Sequence, residues 1–114
     1  MEYYLVDGYN VINAWPELIR LRANLDEARD VLLHILTEYS AFENYEMTVV
    51  FDAFFTEDEE HELSIAEKMK VIYTGAGETA DSCIERLAYA GQYVMAVKFM
   101  LSHLMVQSRV LSLE

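Results

Sequence analysis

The sequence predicts an α/β fold built on a mostly parallel sheet, and three observations carry that expectation. Two apolar runs, Leu5-Val6 and Val49-Val50-Phe51, each stop abruptly at an aspartate, Asp7 and Asp52. Stretches with strand character alternate with stretches whose apolar residues recur every three to four positions, the pattern of strands joined by crossover helices. A third acid, Asp81, falls where a helix should begin after a further strand. Parallel strands deliver their last residues to one edge of the sheet, and in open α/β sheets ligands bind at that edge. Carboxylates gathered there repel each other, and a divalent cation is the usual remedy.

The elements follow in order. Residues 3–6 read as a buried strand ending at Asp7, with Gly8 as a tight-turn residue. Residues 11–21 read as a short helical or irregular segment interrupted at Trp15-Pro16. Asp26 can N-cap a helix whose apolar positions are Ala28, Leu32, Ile35, Leu36 and Tyr39. Asn44-Tyr45 makes the next turn, and residues 47–51 form a second buried strand rich in β-branched side chains. Residues 56–62, an acidic run, read as a solvated loop, because consecutive loop acids are poorly preorganised as metal ligands. Residues 69–73 form a third strand, Gly75 and Gly77 turn the chain, and Thr79 caps a helix from Ala80 to about Ala90.

A chain of 114 residues is expected to form a single domain, 1–114, with residues 92–114 an atypical tail. A hydrophobic content of 54% excludes a disordered chain. The formal net charge of −12 argues against holding nucleic acid by bulk electrostatics, since phosphate contacts need Lys and Arg. Cys83 is the single cysteine, which excludes an internal disulfide; it reads as a small buried helix residue. His34, His61 and His103 have no metal-binding spacing, and no phosphate-binding glycine-rich signature occurs. The N-terminus lacks the basic start of a signal peptide, so a cytoplasmic location is expected. The apolar run 92–113 is long enough to span a membrane, but Lys98, His103, Gln107 and Arg109 interrupt it, so no membrane is expected as a partner. Packing of that run against the core or a second copy would favour a homodimer.

Each acid has a structural alternative. Asp7 and Asp52 could cap turns or helices, and Asp81 in a first helical turn suits the helix dipole in any case. Their common edge is what favours a shared site. Asn10 adds a neutral group able to orient water, and Glu78 could do the same or be solvated. Arg29 could orient an acid or contact phosphate, although an ion pair explains it as well.

These residues resemble the YacP-like NYN domains of the PIN-like nuclease superfamily. The resemblance rests on Leu5-Val6-Asp7-Gly8-Tyr9-Asn10 with Ala14-Trp15-Pro16 after it, Glu27-Ala28-Arg29-Asp30, Val49-Val50-Phe51-Asp52-Ala53 and Glu78-Thr79-Ala80-Asp81, spanning residues 4 to about 88. It implies a PIN-like doubly wound sheet with helices on both faces and an endoribonuclease, a metal-dependent hydrolase. Asp7, Asn10, Asp52 and Asp81 would be its catalytic residues. Asp7, Asp81 and Asp52 would be the ligands of Mg²⁺ or Mn²⁺, with Asn10 positioning. RNA would be the partner, including mRNA on the ribosome, as in ribosome-associated members. Two other readings compete: a catalytically impaired RNA- or ribosome-binding remnant, and an acidic interaction domain without catalysis.

The chain departs from the family pattern after the helix that Asp81 begins. The resemblance implies a further strand ending in Val-Thr-Ser-Asp, yet after Glu85 the next acid is Glu114. The codons of Lys98 and the eight residues that follow, read one base earlier, permit Val-Tyr-Val-Val-Thr-Ser-Asp-Gly. A one-base frameshift near Lys98, leaving the C-terminal part of the fold incomplete, is therefore the expectation; the alternative is a divergent strand and a short tail.

Overall fold

A computed structural model describes residues 2–21, 23–53 and 59–89 of the chain. The first strand, β1 (Glu2–Asp7), runs straight into helix α1 (Gly8–Ala14), and Pro16 opens a single turn, α2 (Pro16–Ile19). The break between the two falls at Trp15, which is extended (φ −92°, ψ 117°). That is the conformation favoured before proline, and the proline's missing N–H costs nothing at a first helical position. Trp15 is buried, so the break also anchors the segment in the core.

Helix α3 (Leu25–Glu43) crosses one face of the sheet and presents Ala28, Leu32, Leu36 and Tyr39 to it, a buried stripe at helical spacing. Its N-cap is Asn24, whose side-chain oxygen accepts the Glu27 N–H at 3.2 Å. The expected cap, Asp26, lies instead in the first turn, where its charge still suits the helix dipole. The helix closes at Asn44, in the left-handed conformation at φ 59°, which asparagine tolerates better than most residues. Tyr45 belongs to the following strand, β2 (Tyr45–Phe51), and not to the turn.

The chain then departs from simple alternation. Before β4 (Met69–Tyr73) comes a strand the sequence reading missed, β3 (His61–Ala66), paired antiparallel with β4. The sheet order is β1-β2-β4-β3, with β1, β2 and β4 mutually parallel and β3 on the edge. The expectation of a mostly parallel sheet holds, while the acidic run ends in strand and not wholly in loop. The physical reason for the miss is exposure. Every residue of β3 from His61 to Ile65 is exposed, so no buried face imposes alternation on it. In β2, by contrast, Met47 to Phe51 are all buried, as expected of an interior parallel strand covered on both faces.

Helices do cover both faces. Val49, Phe51, Met69 and Val71 pack with α1, α2 and α3 on one side. Val50 and Ile72 pack with Ala80 and Cys83 of α4 (Ala80–Tyr89) on the other. Gly8 is required for a reason other than a turn. A β-carbon there would lie 2.3 Å from Cε1 of Phe51, so glycine lets the start of α1 close onto that buried ring. Gly77, at φ +77°, is where a positive φ is needed, in the turn before α4. The expectations for residues 92–114 (a tail packed on the core or on a second copy, a frameshift near Lys98) lie outside the described residues.

Candidate metal and nuclease site

Each of the three aspartates is placed by a different junction. Asp7 ends β1 and caps α1, its carboxylate accepting the Asn10 N–H at 3.2 Å. Asp52 follows β2 directly. There Thr74 Oγ1 accepts the Ala53 N–H at 2.8 Å, and Thr74 donates its own N–H to the Phe51 carbonyl at 3.1 Å. These bonds tie the ends of β2 and β4 together. The Asp52 carboxylate in turn accepts the Ala80 N–H at 3.4 Å, linking the end of β2 to the first residue of α4. Asp81 sits in that helix's first turn, and Thr79 caps it by accepting the Ser82 N–H at 3.2 Å.

The capping roles weighed for Asp7 and Asp52 are therefore real, yet the same bonds aim the acids into a shared space. Asp7, Asn10, Asp52 and Asp81 all line one open cavity of about 480 Å³ at the carboxyl edge of the sheet. The convergence expected from the sequence is what the fold produces. Burial pushes the Asp7 carboxyl above the usual carboxylate range; the Asn10 N–H opposes the shift, and the nearby Asp81 and Asp52 charges add to it. A site that raises a carboxyl's proton affinity through neighbouring negative charge is one that a cation relieves. The donor set, three carboxylates and an amide, is all hard oxygen, which fits Mg²⁺ or Mn²⁺.

Besides Thr79 and Ala80 at the start of α4, two further residues on the cavity wall were not singled out as site residues. Asn13 lies one helical turn beyond Asn10, and their three-residue spacing was the available signal. Tyr9 also lines the cavity. Its hydroxyl accepts a hydrogen bond from Arg29 Nη1 at 2.8 Å, while Arg29 also pairs with Asp26. Arg29 thus serves an ion pair and a tyrosine. His34 is on the surface of α3, 3.3 Å from Glu38 one turn on.

Glu78 departs from the role considered for it. It is paired at 3.3 Å with Arg86, which also holds Glu60. Glu60, Glu78 and Cys83 bring their ligand atoms within 4.8 Å of one another, but they suit a metal poorly. Arg86 is already ion-paired with both carboxylates. Cys83 is buried as expected, and its thiol is pushed up to about 11 by that burial and by Glu60 and Glu78. A metal needs the thiolate, which is scarce at neutral pH under those conditions.

A mostly parallel sheet covered on both faces, with acids converging at its carboxyl edge, is the arrangement that the resemblance to PIN-like domains implies. The YacP-like NYN domain model matches residues 4–111, and the chain belongs to that family. It is 45% identical over 91 residues to YacP of Bacillus subtilis (strain 168), an alignment covering 79% of this chain and 53% of that protein. It superposes on the crystal structure of Rae1 (YacP) from Bacillus subtilis with a TM-score of 0.65 at 41% identity, covering 84% of this chain and 55% of the other. A mutant of the same protein gives the same TM-score. The chain spans about half the length of the relatives it matches. Among the described residues no helix is long and apolar enough to cross a membrane.

Proposed function

We propose that the cavity is the active site of a metal-dependent endoribonuclease of the YacP-like NYN type, acting on RNA in the cytoplasm, including mRNA on the ribosome. The observation that carries this reading is the shared cavity lined by Asp7, Asn10, Asp52 and Asp81. Asp7 and Asp81 would hold the cation, with Asp52 completing the cluster. A bound Mg²⁺ or Mn²⁺ would lower the pKa of a water and neutralise phosphate oxygens. The chain's own residues supply the rest. Asp52 is held by the Ala80 N–H and Asp7 by the Asn10 N–H, so neither carboxylate has to reorganise when substrate arrives. The Asn10 amide, exposed on the cavity wall, is placed to orient a water or a phosphate oxygen.

A catalytically impaired RNA- or ribosome-binding protein is the second reading. It is favoured by the absence of any acid between Glu85 and Glu114, where the resemblance implies another carboxylate.

The experiment combines metal titration with cleavage of a labelled RNA, with and without ribosomes. Mg²⁺ or Mn²⁺ should raise the melting temperature, because only the folded chain assembles the ligands. Asp7→Asn should remove most of that rise and any cleavage, while Glu59→Gln, in the exposed acidic run, should leave both intact. Equal effects of the two substitutions would show that the site is misassigned, and cleavage that survives Asp7→Asn would exclude the mechanism.

A further inference from the structure

The cavity holds more than a metal site needs. A cation with a few waters, each roughly 30 Å³, fills only part of about 480 Å³. Pockets of about 300–1,000 Å³ are of the size that takes an organic ligand. Its wall also carries an aromatic ring with no part in holding a cation, that of Tyr9. The ring is fixed from two sides. It packs tilted against the fully buried Phe51 ring, centroids 5.1 Å apart, and its hydroxyl is held by Arg29 at 2.8 Å. Arg29 is itself fixed by Asp26, so α1 and α3 together set the ring's position.

Charge sharpens the point. At a net −12, with three carboxylates in the cavity, this chain gains little from phosphate contacts. Binding energy for a nucleic acid strand must come from terms that do not depend on cationic side chains. Stacking of a base on an aromatic ring is such a term, and it tolerates any base sequence. A duplex keeps its bases stacked on each other, so only a single strand or a splayed base can offer a face to a protein ring.

We propose that Tyr9 is a base-stacking subsite beside the acid cluster, and that the site therefore takes single-stranded RNA with an unstacked nucleobase seated on the Tyr9 ring. The proposal rests on the nuclease reading for the identity of the ligand, while the ring's placement stands independently of cleavage. Tyr9 is then a substrate-binding residue, and Phe51 and Arg29 position it.

The test uses the full chain, Ca²⁺ as the divalent ion, and a short unstructured RNA carrying 2-aminopurine, whose fluorescence falls when the base stacks. The wild-type chain should quench the probe on binding. Tyr9→Leu, which keeps an apolar side chain over Phe51, should lose the quenching and weaken binding roughly tenfold to a hundredfold. Tyr9→Phe and Tyr9→Trp should retain both. RNA made abasic at the probe position should bind the wild type and Tyr9→Leu alike, and duplex RNA should not respond to the substitution. Unchanged affinity and quenching in Tyr9→Leu would overturn the proposal, as would a wild type that binds no single strand. Equal losses for single-stranded, abasic and duplex RNA would also overturn it, since they would reduce Tyr9 to a packing role. The two readings fail separately: Asp7-dependent metal binding without Tyr9-dependent quenching sinks the subsite alone, whereas quenching by a chain that ignores metal sinks the nuclease reading alone.

Discussion

Asp7 shows what a half-buried acid beside two others costs the fold. Its pKa is raised in the folded state, foremost by burial and further by Asp81 and Asp52. The sign of the consequence follows from linkage. Below the ordinary value of 3.8 the carboxyl is neutral in both states and costs nothing. As pH rises through the raised folded pKa, the folded state surrenders its proton later than the unfolded one, and stability falls to a lower plateau above that window. Asp7→Asn removes the charge and keeps an N-cap, since asparagine caps as well as aspartate. Without metal, the variant should therefore melt higher than the wild type at neutral pH. Its advantage should shrink as pH drops below the carboxylate range, and millimolar Mg²⁺ should cancel it by stabilising only the wild type; calorimetry across pH, with and without the ion, reads all three. Gly8 is constrained differently. The 2.3 Å approach of a β-carbon to Phe51 predicts that Gly8→Ala destabilises by about 1–3 kcal/mol, as overpacked cores do. Combining it with Phe51→Leu should cost less than the sum of the two, because the second change opens the space the first fills. Additive losses in denaturant melts would show that the ring is not the obstacle.

At the level of elements, legibility tracked burial. β1, β2 and β4 could be read from the sequence because a strand covered on both faces is apolar at consecutive positions, as Val49-Val50-Phe51 is and, past the exposed Lys70, Val71-Ile72 is. The stripe Ala28, Leu32, Leu36, Tyr39 announced α3 for the same reason. β3 could not be read, because an edge strand exposed from His61 to Ile65 answers to its neighbour's backbone and not to a core. The acids were legible as a set because strand ends and helix starts are marked in the sequence. Tyr9 was not, since its place depends on Phe51 and Arg29, which are distant in sequence. The same contrast makes a stability prediction. Leu32 is fully buried and Leu63 is 49% exposed, so Leu32→Ala should cost about 2–5 kcal/mol and Leu63→Ala no more than about 0.5 kcal/mol. Urea unfolding of both variants decides it, and comparable losses would mean that β3 is covered in solution.

For the whole molecule, the question is how much catalysis three aspartates can support. Metal-assisted hydrolysis depends on where the ion is held as well as on its presence, and misplacing it by about 1 Å can cost on the order of a hundredfold in rate. The described site offers Asp7, Asp52 and Asp81. The carboxylate that the family resemblance places on a later strand has no counterpart between Glu85 and Glu114. With a formal charge of −12, moreover, RNA gains little from long-range attraction. The expected outcome is that the 114-residue chain binds divalent metal yet cleaves labelled RNA slowly or not at all, even with Mn²⁺ and ribosomes supplied. A version carrying Val-Tyr-Val-Val-Thr-Ser-Asp-Gly after Lys98, with the shifted frame continued, should regain cleavage that Asp7→Asn abolishes. Sequencing the gene through codons 90–114 would show whether the shift exists at all. Vigorous Asp7-dependent cleavage by the short chain would mean that three acids suffice, that the later carboxylate is dispensable, and that the frameshift is not needed to explain the chain.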